Sequence, residues 1–437
     1  MCAVLVAIPS TGTALAGLHR AVGWTDGGVH VVGGPIAADG RVLVIVSDSD
    51  RSTWLEAISP TSGKALWRIP EGFSEIAAGV EVAPLARGHT ALALVPSPSH
   101  DGTVRLEGVD ISTGRVVWRS SGAQYVTDVP EPCPNPIGAR AFCVVTAKPS
   151  AEPTLLAISP ATGRSIATVQ GIERTLGSGV FQAFIQPSVL VGIDIPGGFQ
   201  WSTPVVSAFG PGYDPNFGWN FDTFGSVDAG WVGKQSGSGA TDLGASKTVG
   251  LDDKTGRTLW VIHGSLECGG GSVFKLPFAC ALTGTLKVRF PKFVVSRNAR
   301  GVIEGFSPRT GKISWRFSLD HTHLASVLTA RLEIADETHL LVWSNRGERR
   351  VLDLKTGSSA SPTVGQVFWC ERQNVFRVKS PPKGVPPERM GVGYLSPCDI
   401  NGKPAKAKIQ PLRGVVPTVG GVIVWASSAG LEAAPSG

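Results

Sequence analysis

Cysteine and histidine are the residue types in this 437-residue sequence whose spacing most directly separates metal, redox and structural chemistry. Six of the seven cysteines fall into three local pairs: Cys133 with Cys143, Cys268 with Cys280, and Cys370 with Cys398. Each pair brackets turn-forming residues, which suits disulfide bridges between neighbouring strands or across a loop base. Other pairings are open in principle, so the nearest-neighbour connectivity is a prediction that rests on the short loops it closes.

Metal chemistry has weak support in the sequence. No C-x-x-C cluster with histidine partners at short spacing predicts a zinc site. His321 and His323 could present two imidazoles on one face of an extended segment, but a polar loop explains the same residues. Asp48 and Asp50 resemble a calcium loop by charge alone, because the glycine and terminal glutamate of an EF-hand are missing.

Motifs for phosphate binding and nucleophilic catalysis are also missing. The stretch GWVGKQS (230–236) fails the P-loop pattern because Gln235, and not Ser or Thr, follows Gly233-Lys234. No G-x-S-x-G nucleophile elbow is present. We therefore assign no catalytic, cofactor-binding or metal-ligating residue, and we predict no cofactor.

Composition points to short strands and tight turns. The chain has 55 Gly and 32 Pro with 17% charged residues, which is typical of an all-β protein. The net charge of +6 is spread along the chain without a basic run or basic helix, so nothing favours a nucleic-acid partner.

The amino terminus and the cysteines together predict export. Residues 2–17 carry no charge and end in Ala14-Leu15-Ala16, a small-x-small cleavage pattern, so residues 1–17 are interpreted as a remnant signal peptide or membrane anchor. Paired cysteines favour an oxidising compartment. We expect a protein that is secreted or held at the outer face of the cell membrane, with the membrane contacted only through the amino terminus.

An internal repeat organises most of the chain. An apolar strand, an Asp or Ser, a turn ending in Gly, a basic residue and a second strand recur at intervals of 46–55 residues, with one double gap. The turn glycines are Gly63, Gly114, Gly163, Gly256, Gly311 and Gly357. Each glycine is expected to supply a positive φ, while Asp110 or Asp252 bonds back onto the turn.

Tryptophan follows the turn glycine by four residues in four repeats, at Trp67, Trp118, Trp260 and Trp315. A large flat ring at the start of an outer strand can cover the seam with the neighbouring sheet, so these rings are interpreted as structural. Ala167 and Ser361 take the same position in two other repeats, where we expect a looser seam.

The repeats predict a single eight-bladed β-propeller of four-stranded antiparallel sheets over residues 18–437, with seven blades as the alternative. The double gap predicts a hidden blade with strands at 188–195 and 202–209, near Trp201. The carboxy-terminal segment 420–434 has two strands but no outer one, and residues 18–25, with Trp24 at the tryptophan position, supply it. This pairing closes the ring and removes exposed sheet edges.

The pattern resembles the PQQ-like propeller repeat, apolar-Asp-x-x-Thr-Gly-Lys/Arg-x-x-Trp. The match is close in VDISTGRVVW (109–118) and LDDKTGRTLW (251–260) and partial in four other repeats. The resemblance implies architecture more than function, since the family includes quinoprotein dehydrogenases, outer-membrane assembly lipoproteins and sensor propellers. Quinoprotein alcohol dehydrogenases hold their cofactor over a vicinal disulfide, and no adjacent Cys-Cys pair exists here.

Two segments depart from the repeat and are the expected places for function. The first, about 210–242, concentrates Tyr213, Phe217, Trp219, Phe221, Phe224 and Trp231 among glycines. It is either an aromatic binding loop for protein or sugar, or an irregular blade folded on itself. The second, 370–398, is a Pro-rich basic segment between two cysteines that suits an acidic partner.

The resulting prediction is a monomeric, non-enzymatic scaffold outside the cytoplasm that binds a protein or polymer of the cell envelope. A PQQ- or calcium-dependent quinoprotein dehydrogenase is one alternative. The sensor domain of a signalling or secretion system is the other.

Overall fold

The computed structural model describes residues 23–436 with interruptions, of which the longest are 72–84, 121–130, 134–140, 214–220, 325–332 and 377–389. The predicted signal or anchor at 1–17 lies outside the described residues. The first described strand, β1 (Trp24–Asp26), pairs with the last strand of the chain.

The first half of the chain forms four sheets, numbered here in chain order. Sheet 1 contains β2 (His30–Val31), β3 (Ile36–Ala38), β4 (Arg41–Ser47), β5 (Thr53–Ile58) and β6 (Ala65–Glu71). Sheet 2 contains β7 (Leu85–Arg87), β8 (Thr90–Pro98), β9 (Val104–Asp110) and β10 (Arg115–Arg119). Sheet 3 contains β11 (Glu131–Pro132), β12 (Phe142–Thr146), β13 (Thr154–Ile158) and β14 (Ser165–Gln170). Sheet 4 contains β15 (Ile172–Thr175), β16 (Val180–Ala183), β17 (Val189–Asp194) and β18 (Gly198–Pro204), and the short helix α1 (Val205–Phe209) follows it.

The second half forms four more sheets and two inserted hairpins. Sheet 5 contains β19 (Phe221–Thr223), β20 (Val227–Gln235), β21 (Thr241–Asp252) and β22 (Thr258–His263). Sheet 6 contains β23 (Ser265–Leu266), β24 (Phe278–Thr283), β27 (Arg300–Phe306) and β28 (Ile313–Leu319), and a 3₁₀ turn at Glu267–Gly269 follows β23. Between β24 and β27 the chain forms an inserted hairpin of β25 (Leu286–Arg289) and β26 (Lys292–Val295), which pairs with β21 of sheet 5. Sheet 7 contains β29 (Glu333–Asp336), β30 (His339–Trp343), β31 (Arg349–Asp353) and β32 (Ser359–Ala360), and a hairpin of β33 (Phe368–Phe376) and β34 (Met390–Cys398) is added to β29. Sheet 8 contains β35 (Thr418–Val419), β36 (Val422–Ser427), β37 (Gly430–Pro435) and β1.

Within each sheet the strands run antiparallel, and the chain passes from one edge to the other. The tryptophan-bearing strand is the last of its sheet, and the first strand lies at the opposite edge. In a propeller the first edge surrounds the central axis and the last edge faces outward. The all-β propeller prediction is confirmed. The strand pairings give eight sheets, but eight blades is not shown; the arrangement supported is the predicted alternative of seven blades.

The predicted closure by the amino-terminal strand is confirmed. Strand β1 pairs with β37, Trp24 lying opposite Ala433. A hydrophobic cluster then joins sheet 8 to sheet 1, where Val422 and Val424 pack with Val42 and Val44. The two ends of the chain are therefore held by both a strand ladder and a buried core.

The core lies between consecutive sheets, because strands such as β4 (RVLVIVS) are apolar on both faces and must be covered on both. Leu43 of sheet 1 clusters with Val109 of sheet 2, and Leu106 of sheet 2 clusters with Phe142 of sheet 3. Similar clusters join sheets 3 and 4, sheets 4 and 5, and sheets 5 and 6, while one large cluster spans sheets 6, 7 and 8.

The hidden repeat between Gly163 and Gly256 is sheet 4, but its last strand was predicted wrongly. Strand β17 matches the predicted 188–195 segment, whereas the segment 202–209 divides at Pro204. Proline has no amide to continue a ladder, and the chain turns into α1 directly after it. Trp201, which was placed only near this blade, lies inside β18.

Candidate functional site

The repeated tryptophans form the best-defined contact of the molecule. Trp118 lies on the outer strand of sheet 2, and its side chain extends to the turn of sheet 3, where its Nε1 donates to the Pro160 carbonyl at 2.8 Å. Its ring also lies against Gly163, which has a φ of 68°. A Cβ built on Gly163 would lie 2.2 Å from a ring carbon of Trp118, so glycine is required by both space and backbone conformation.

The same contact, which we call the Trp–Gly dock, occurs six times among the residues that the structure describes. The indole donates to a turn carbonyl of the next sheet from Trp24 to Pro60 (2.7 Å), Trp67 to Ile111 (2.9 Å), Trp118 to Pro160 (2.8 Å), Trp201 to Asp253 (3.0 Å), Trp260 to Pro308 (2.7 Å) and Trp315 to Leu354 (3.1 Å). The rings cover Gly63, Gly114, Gly163, Gly256, Gly311 and Gly357 in the same order. The residues assigned to the structural repeat are therefore partners of one another across the seams.

Two seams lack the dock in the part of the chain that the structure describes. Ala167 of sheet 3 and Ser361 after sheet 7 stand where the other repeats have tryptophan, and sheets 4 and 8, which follow them, have no Thr-Gly turn to receive one. Tryptophan and receiving glycine are thus lost together. The docks divide the sheets into two series of four: sheets 8, 1, 2 and 3, and sheets 4, 5, 6 and 7.

A second repeated contact was missed from the sequence. The arginine after the tryptophan pairs with a buried glutamate of the adjacent strand, in Arg68 with Glu56 (2.9 Å), Arg119 with Glu107 (2.6 Å) and Arg316 with Glu304 (2.6 Å). The signal is visible in the repeat, since LEAI, LEGV and IEGF each precede a Trp-Arg pair. These arginines neutralise glutamate carboxylates that are buried in the propeller.

The aromatic segment 210–242 contributes to the core of sheets 4 and 5. Phe221 and Trp231 are 2% and 7% exposed, so neither presents a binding surface. Phe217 and Trp219 lie outside the described residues. For Phe221 and Trp231 the structure favours the second interpretation of the segment, a blade folded on itself.

Tyr213 of the same segment has a polar environment. Its hydroxyl donates to the Ala245 carbonyl at 2.8 Å, and its ring lies 4.6 Å from Lys247 Nζ and 6.0 Å from Lys234 Nζ. Burial and the Asp242 carboxylate raise the pKa of Tyr213. Lys247 also donates to the Phe209 carbonyl at 2.7 Å, so this group fastens α1 onto sheet 5. Lys234 of the failed P-loop motif lies in β20, a strand and not a phosphate-binding loop.

The three predicted disulfides are confirmed. Cysteines 10, 12 and 28 residues apart are joined in the pairs Cys133–Cys143, Cys268–Cys280 and Cys370–Cys398. Each connects a segment of one sheet to a neighbouring strand or loop of the same sheet. Because all three bridges are local, they fix individual sheets and do not join distant ones.

The β33–β34 hairpin is the largest addition to the repeat. Its arms pair over nine residues each, from Phe368 opposite Cys398 to Phe376 opposite Met390, and the Cys370–Cys398 bridge lies at its base. At that base Trp369 packs edge-to-face on Trp425 of sheet 8, with ring centroids 6.3 Å apart. The hairpin therefore fills the undocked seam between sheets 7 and 8.

Charged groups also fix the base of the hairpin. Glu333 of β29 pairs with Arg349, and Arg372 donates to the Gly402 carbonyl. Burial raises the pKa of Glu333, while the neighbouring Arg349 opposes that rise. This cluster is charge-compensated and supports the hairpin.

Carboxyl groups near the inner edge of sheets 5 and 6 are less well compensated. Glu267 follows β23 directly and is 1% exposed, and burial together with Asp222 of β19 raises its pKa to about 9. Asp228 of β20 is 4% exposed and accepts a hydrogen bond from the Thr223 hydroxyl at 2.8 Å. Burial, aided by two neighbouring aspartates, raises the pKa of Asp228 to about 6.

The remaining candidate metal residues that the structure describes do not come together. His321 Nδ1 lies 3.3 Å from Asp320, while His323, Asp48 and Asp50 lie outside the described residues. In the part of the chain that the structure describes, no three His, Cys, Asp or Glu side chains are grouped to hold a metal. No helix among the described residues is long and apolar enough to cross a membrane.

The quinone cofactor of the resembling enzymes does not fit the cysteines of this chain. Those enzymes seat the quinone on a disulfide between adjacent cysteines, and the nearest bridged cysteines here are 10 residues apart.

The strand pairings and the six docks define the class of the protein: it is a β-propeller, and its repeats resemble the PQQ-like type. Similar solved structures include BamB from Moraxella catarrhalis, with 13% identity, 78% of this chain and 79% of that chain covered, and a TM-score of 0.35. The quinohemoprotein alcohol dehydrogenase ADHIIG from Pseudomonas putida HK5 shares 10% identity over 79% of this chain and 72% of its own, with a TM-score of 0.40. The quinohemoprotein alcohol dehydrogenase from Comamonas testosteroni shares 13% over 89% and 77%, with a TM-score of 0.38. No family profile and no curated protein matches the sequence. At this level of similarity the neighbours carry no argument about function.

Proposed function

We propose that this protein is a non-enzymatic scaffold outside the cytoplasm that binds an acidic component of the cell envelope through the β33–β34 hairpin. The observation that carries the proposal is the construction of the hairpin. Two nine-residue arms extend a regular sheet, and a disulfide and the Trp369–Trp425 contact hold their base. A loop presented by a rigid framework is the usual arrangement for recognition in propellers.

Charge supports an acidic partner. The sequence between the two arms, 377–389, contains Arg377, Lys379, Lys383 and Arg389 against the single acid Glu388. Such a local excess of positive charge attracts carboxylate- or phosphate-bearing proteins and polymers, with a strength that falls as salt rises.

The three disulfides support the compartment. Bridges of this kind persist where thiols are not kept reduced, which includes the bacterial periplasm and the cell exterior. Fractionation of cells that express the full gene tests whether the chain is released or anchored at the membrane.

The proposal is tested with purified protein and an envelope fraction. A variant with Lys379→Glu and Lys383→Glu is compared with wild type in affinity capture at low and at high salt. The matched control is Lys254→Glu with Lys312→Glu, which makes the same charge change on two Thr-Gly turns. We expect the hairpin variant to lose its partner and the control to keep it.

Two results would overturn the proposal. One is capture that the hairpin variant and the control retain equally, provided that both variants have wild-type circular dichroism. The other is oxidation of an alcohol by purified protein supplied with PQQ, calcium and an artificial electron acceptor, which would make the protein an enzyme.

A further inference from the structure

Glu267 is the one residue among those that the structure describes whose two carboxyl oxygens are both buried without a hydrogen-bond partner. It is 1% exposed, and neither carboxyl oxygen has a hydrogen-bond partner among the described residues. A buried carboxylate without a partner is costly by several kcal/mol in general, so proteins seldom keep one without a role. The other buried glutamates of the repeat, Glu56, Glu107 and Glu304, each pair with an arginine.

The backbone at this position is also unusual. Glu267 and Cys268 have φ values of 46° and 58°, two successive non-glycine residues in the left-handed region. L-residues disfavour this region, and it persists only where the surroundings impose it. Here the Cys268–Cys280 bridge ties the turn that contains Glu267 to β24.

A second carboxyl group lies on the neighbouring sheet, where Asp222 Oδ2 is buried. Asp222 lies on β19, the first strand of sheet 5, and its charge acts on Glu267 across the boundary between sheets 5 and 6. Among the described residues, Asp222 is the one charged group that contributes to the raised pKa of Glu267. Two carboxylates at short range repel each other unless a proton or a cation lies between them.

We propose that Glu267 and Asp222 bind a hard divalent cation of the Ca²⁺ or Mg²⁺ class at the inner boundary of sheets 5 and 6. Carboxylate oxygens are the ligands that these ions prefer, and nearby backbone carbonyls and water complete their coordination. The sulfur atoms beside the site are held in a disulfide, which leaves no thiolate for a softer metal. The ion joins two sheets and requires neither a quinone nor the envelope partner proposed above.

Binding is coupled to loss of a proton. In the ion-free protein Glu267 is protonated at neutral pH, because its pKa is about 9. A divalent ion binds the carboxylate form, so each ion that enters displaces one proton into the solvent. The affinity therefore rises with pH, by up to tenfold for each pH unit below the pKa of Glu267.

The test uses the full purified chain, treated with EDTA and dialysed. Calorimetric titration with CaCl₂ and with MgCl₂ at pH 7 in two buffers of different ionisation enthalpy measures both affinity and proton release. Thermal melting with and without each ion provides an independent reading, since an ion that binds only the folded chain raises its Tm. Glu267→Gln and Asp222→Asn remove one ligand each.

Glu304→Gln is the matched control, because Glu304 is buried in the same sheet and has Arg316 as its partner. We expect wild type and Glu304→Gln to bind one ion with release of about one proton. Glu267→Gln and Asp222→Asn should each weaken binding at least tenfold. If Glu267→Gln does not fold, Asp222→Asn decides the question.

Either of two outcomes would overturn the site. Wild type could show no heat and no Tm change with either ion. Alternatively, Glu267→Gln and Asp222→Asn could bind as tightly as wild type, which would place any ion elsewhere. Neither outcome depends on envelope binding, so failure here leaves the scaffold proposal standing.

Discussion

The indole of Trp118 lies in a slot between two glycines, Gly108 of its own sheet and Gly163 of the next. A Cβ on Gly108 would come within 2.1 Å of the ring, and one on Gly163 within 2.2 Å. The ring thus lies in close contact with both glycines while its Nε1 donates to the Pro160 carbonyl. This arrangement makes each seam sensitive to a change at either partner.

Removing the ring should destabilise the fold strongly. Trp118→Ala deletes a side chain that is 9% exposed and leaves a cavity at the seam, with an expected loss of about 3–5 kcal/mol. Urea unfolding followed by circular dichroism measures the loss. Val117→Ala is the control, because Val117 is 47% exposed and its truncation should cost less than about 0.5 kcal/mol. A loss below about 1 kcal/mol for Trp118→Ala would contradict the structural role of the dock.

Replacing Gly163, the glycine that contacts the Trp118 ring, should also destabilise the fold. Gly163→Ala suffers both from a φ of 68° and from the contact with Trp118. Gly347→Ala is the matched control, since Gly347 has a φ of 73° but nothing within 4 Å of its built Cβ. We expect the free energy of unfolding to fall by about 1 kcal/mol in the control and by about 1–3 kcal/mol more in Gly163→Ala.

A double-mutant cycle separates the two causes. In a background of Trp118→Ala the contact is gone, so Gly163→Ala should cost no more than Gly347→Ala does. Strictly additive losses would show that the ring and the glycine do not act as a pair.

The repeat allowed much of this arrangement to be predicted. The turn glycines, the outer tryptophans, the three bridges and the closing strand all follow from local patterns of turn chemistry and spacing. The identity of the dock partner did not follow, because it joins residues 36–52 positions apart in different sheets. A signal existed in the chain: each of the six turn glycines of the repeat is preceded by a repeat with tryptophan, and the two repeats without tryptophan precede sheets without such a turn.

The inner carboxyl groups could not have been predicted. Glu267 stands in a short stretch, GSLECGGG, that departs from the repeat, and its burial depends on how sheets 5 and 6 meet. Aromatic composition was misleading for a similar reason. Phe221 and Trp231 stand among glycines in the sequence, yet β19 and β20 carry them into the core.

The disulfides should be mapped directly. Non-reducing peptide analysis is expected to recover Cys133 with Cys143, Cys268 with Cys280, and Cys370 with Cys398. Opening the second bridge with Cys268→Ser and Cys280→Ser should destabilise the chain by about 3 kcal/mol, since the bridge restricts the unfolded state. A long-range partner for any of these cysteines would contradict the local connectivity.

Asp228 predicts a specific dependence of stability on pH. Its pKa is raised in the folded state to about 6, above the unfolded value near 3.9. A raised pKa means that the folded state favours the protonated form, so the contribution of Asp228 is greatest at low pH and is lost as pH rises from about 4 to about 6. Over this pH range the contribution of Asp228 to the free energy of unfolding falls by about 3 kcal/mol.

Comparison with Asp228→Asn isolates this contribution. The difference in unfolding free energy, wild type minus variant, should fall between pH 4 and pH 6 and level off above that range. Asp252→Asn provides a control of opposite sign, because the Thr255 hydroxyl bond lowers the pKa of Asp252. Wild type should lose stability relative to that variant as pH falls below about 4. A flat difference for Asp228→Asn would mean that its carboxyl is solvated.

The undocked seam between sheets 3 and 4 should open more readily than the docked seam between sheets 2 and 3. Strand β14 has Ala167 where β10 has Trp118, and its exposed face carries Ile166 at 45% exposure. Amide hydrogen exchange reports such local opening, because exchange requires the strand to leave its ladder. We expect amides of β14 to exchange at least tenfold faster than those of β10.

Two variants make this comparison decisive. Trp118→Ala removes the dock on β10 and should bring its exchange close to that of β14. Ala167→Trp should not slow β14, because sheet 4 has no Thr-Gly turn to receive the ring. Equal protection of the two strands in wild type would show that the buried cluster between sheets 3 and 4, which includes Phe181 and Val145, is enough to secure that seam without a tryptophan.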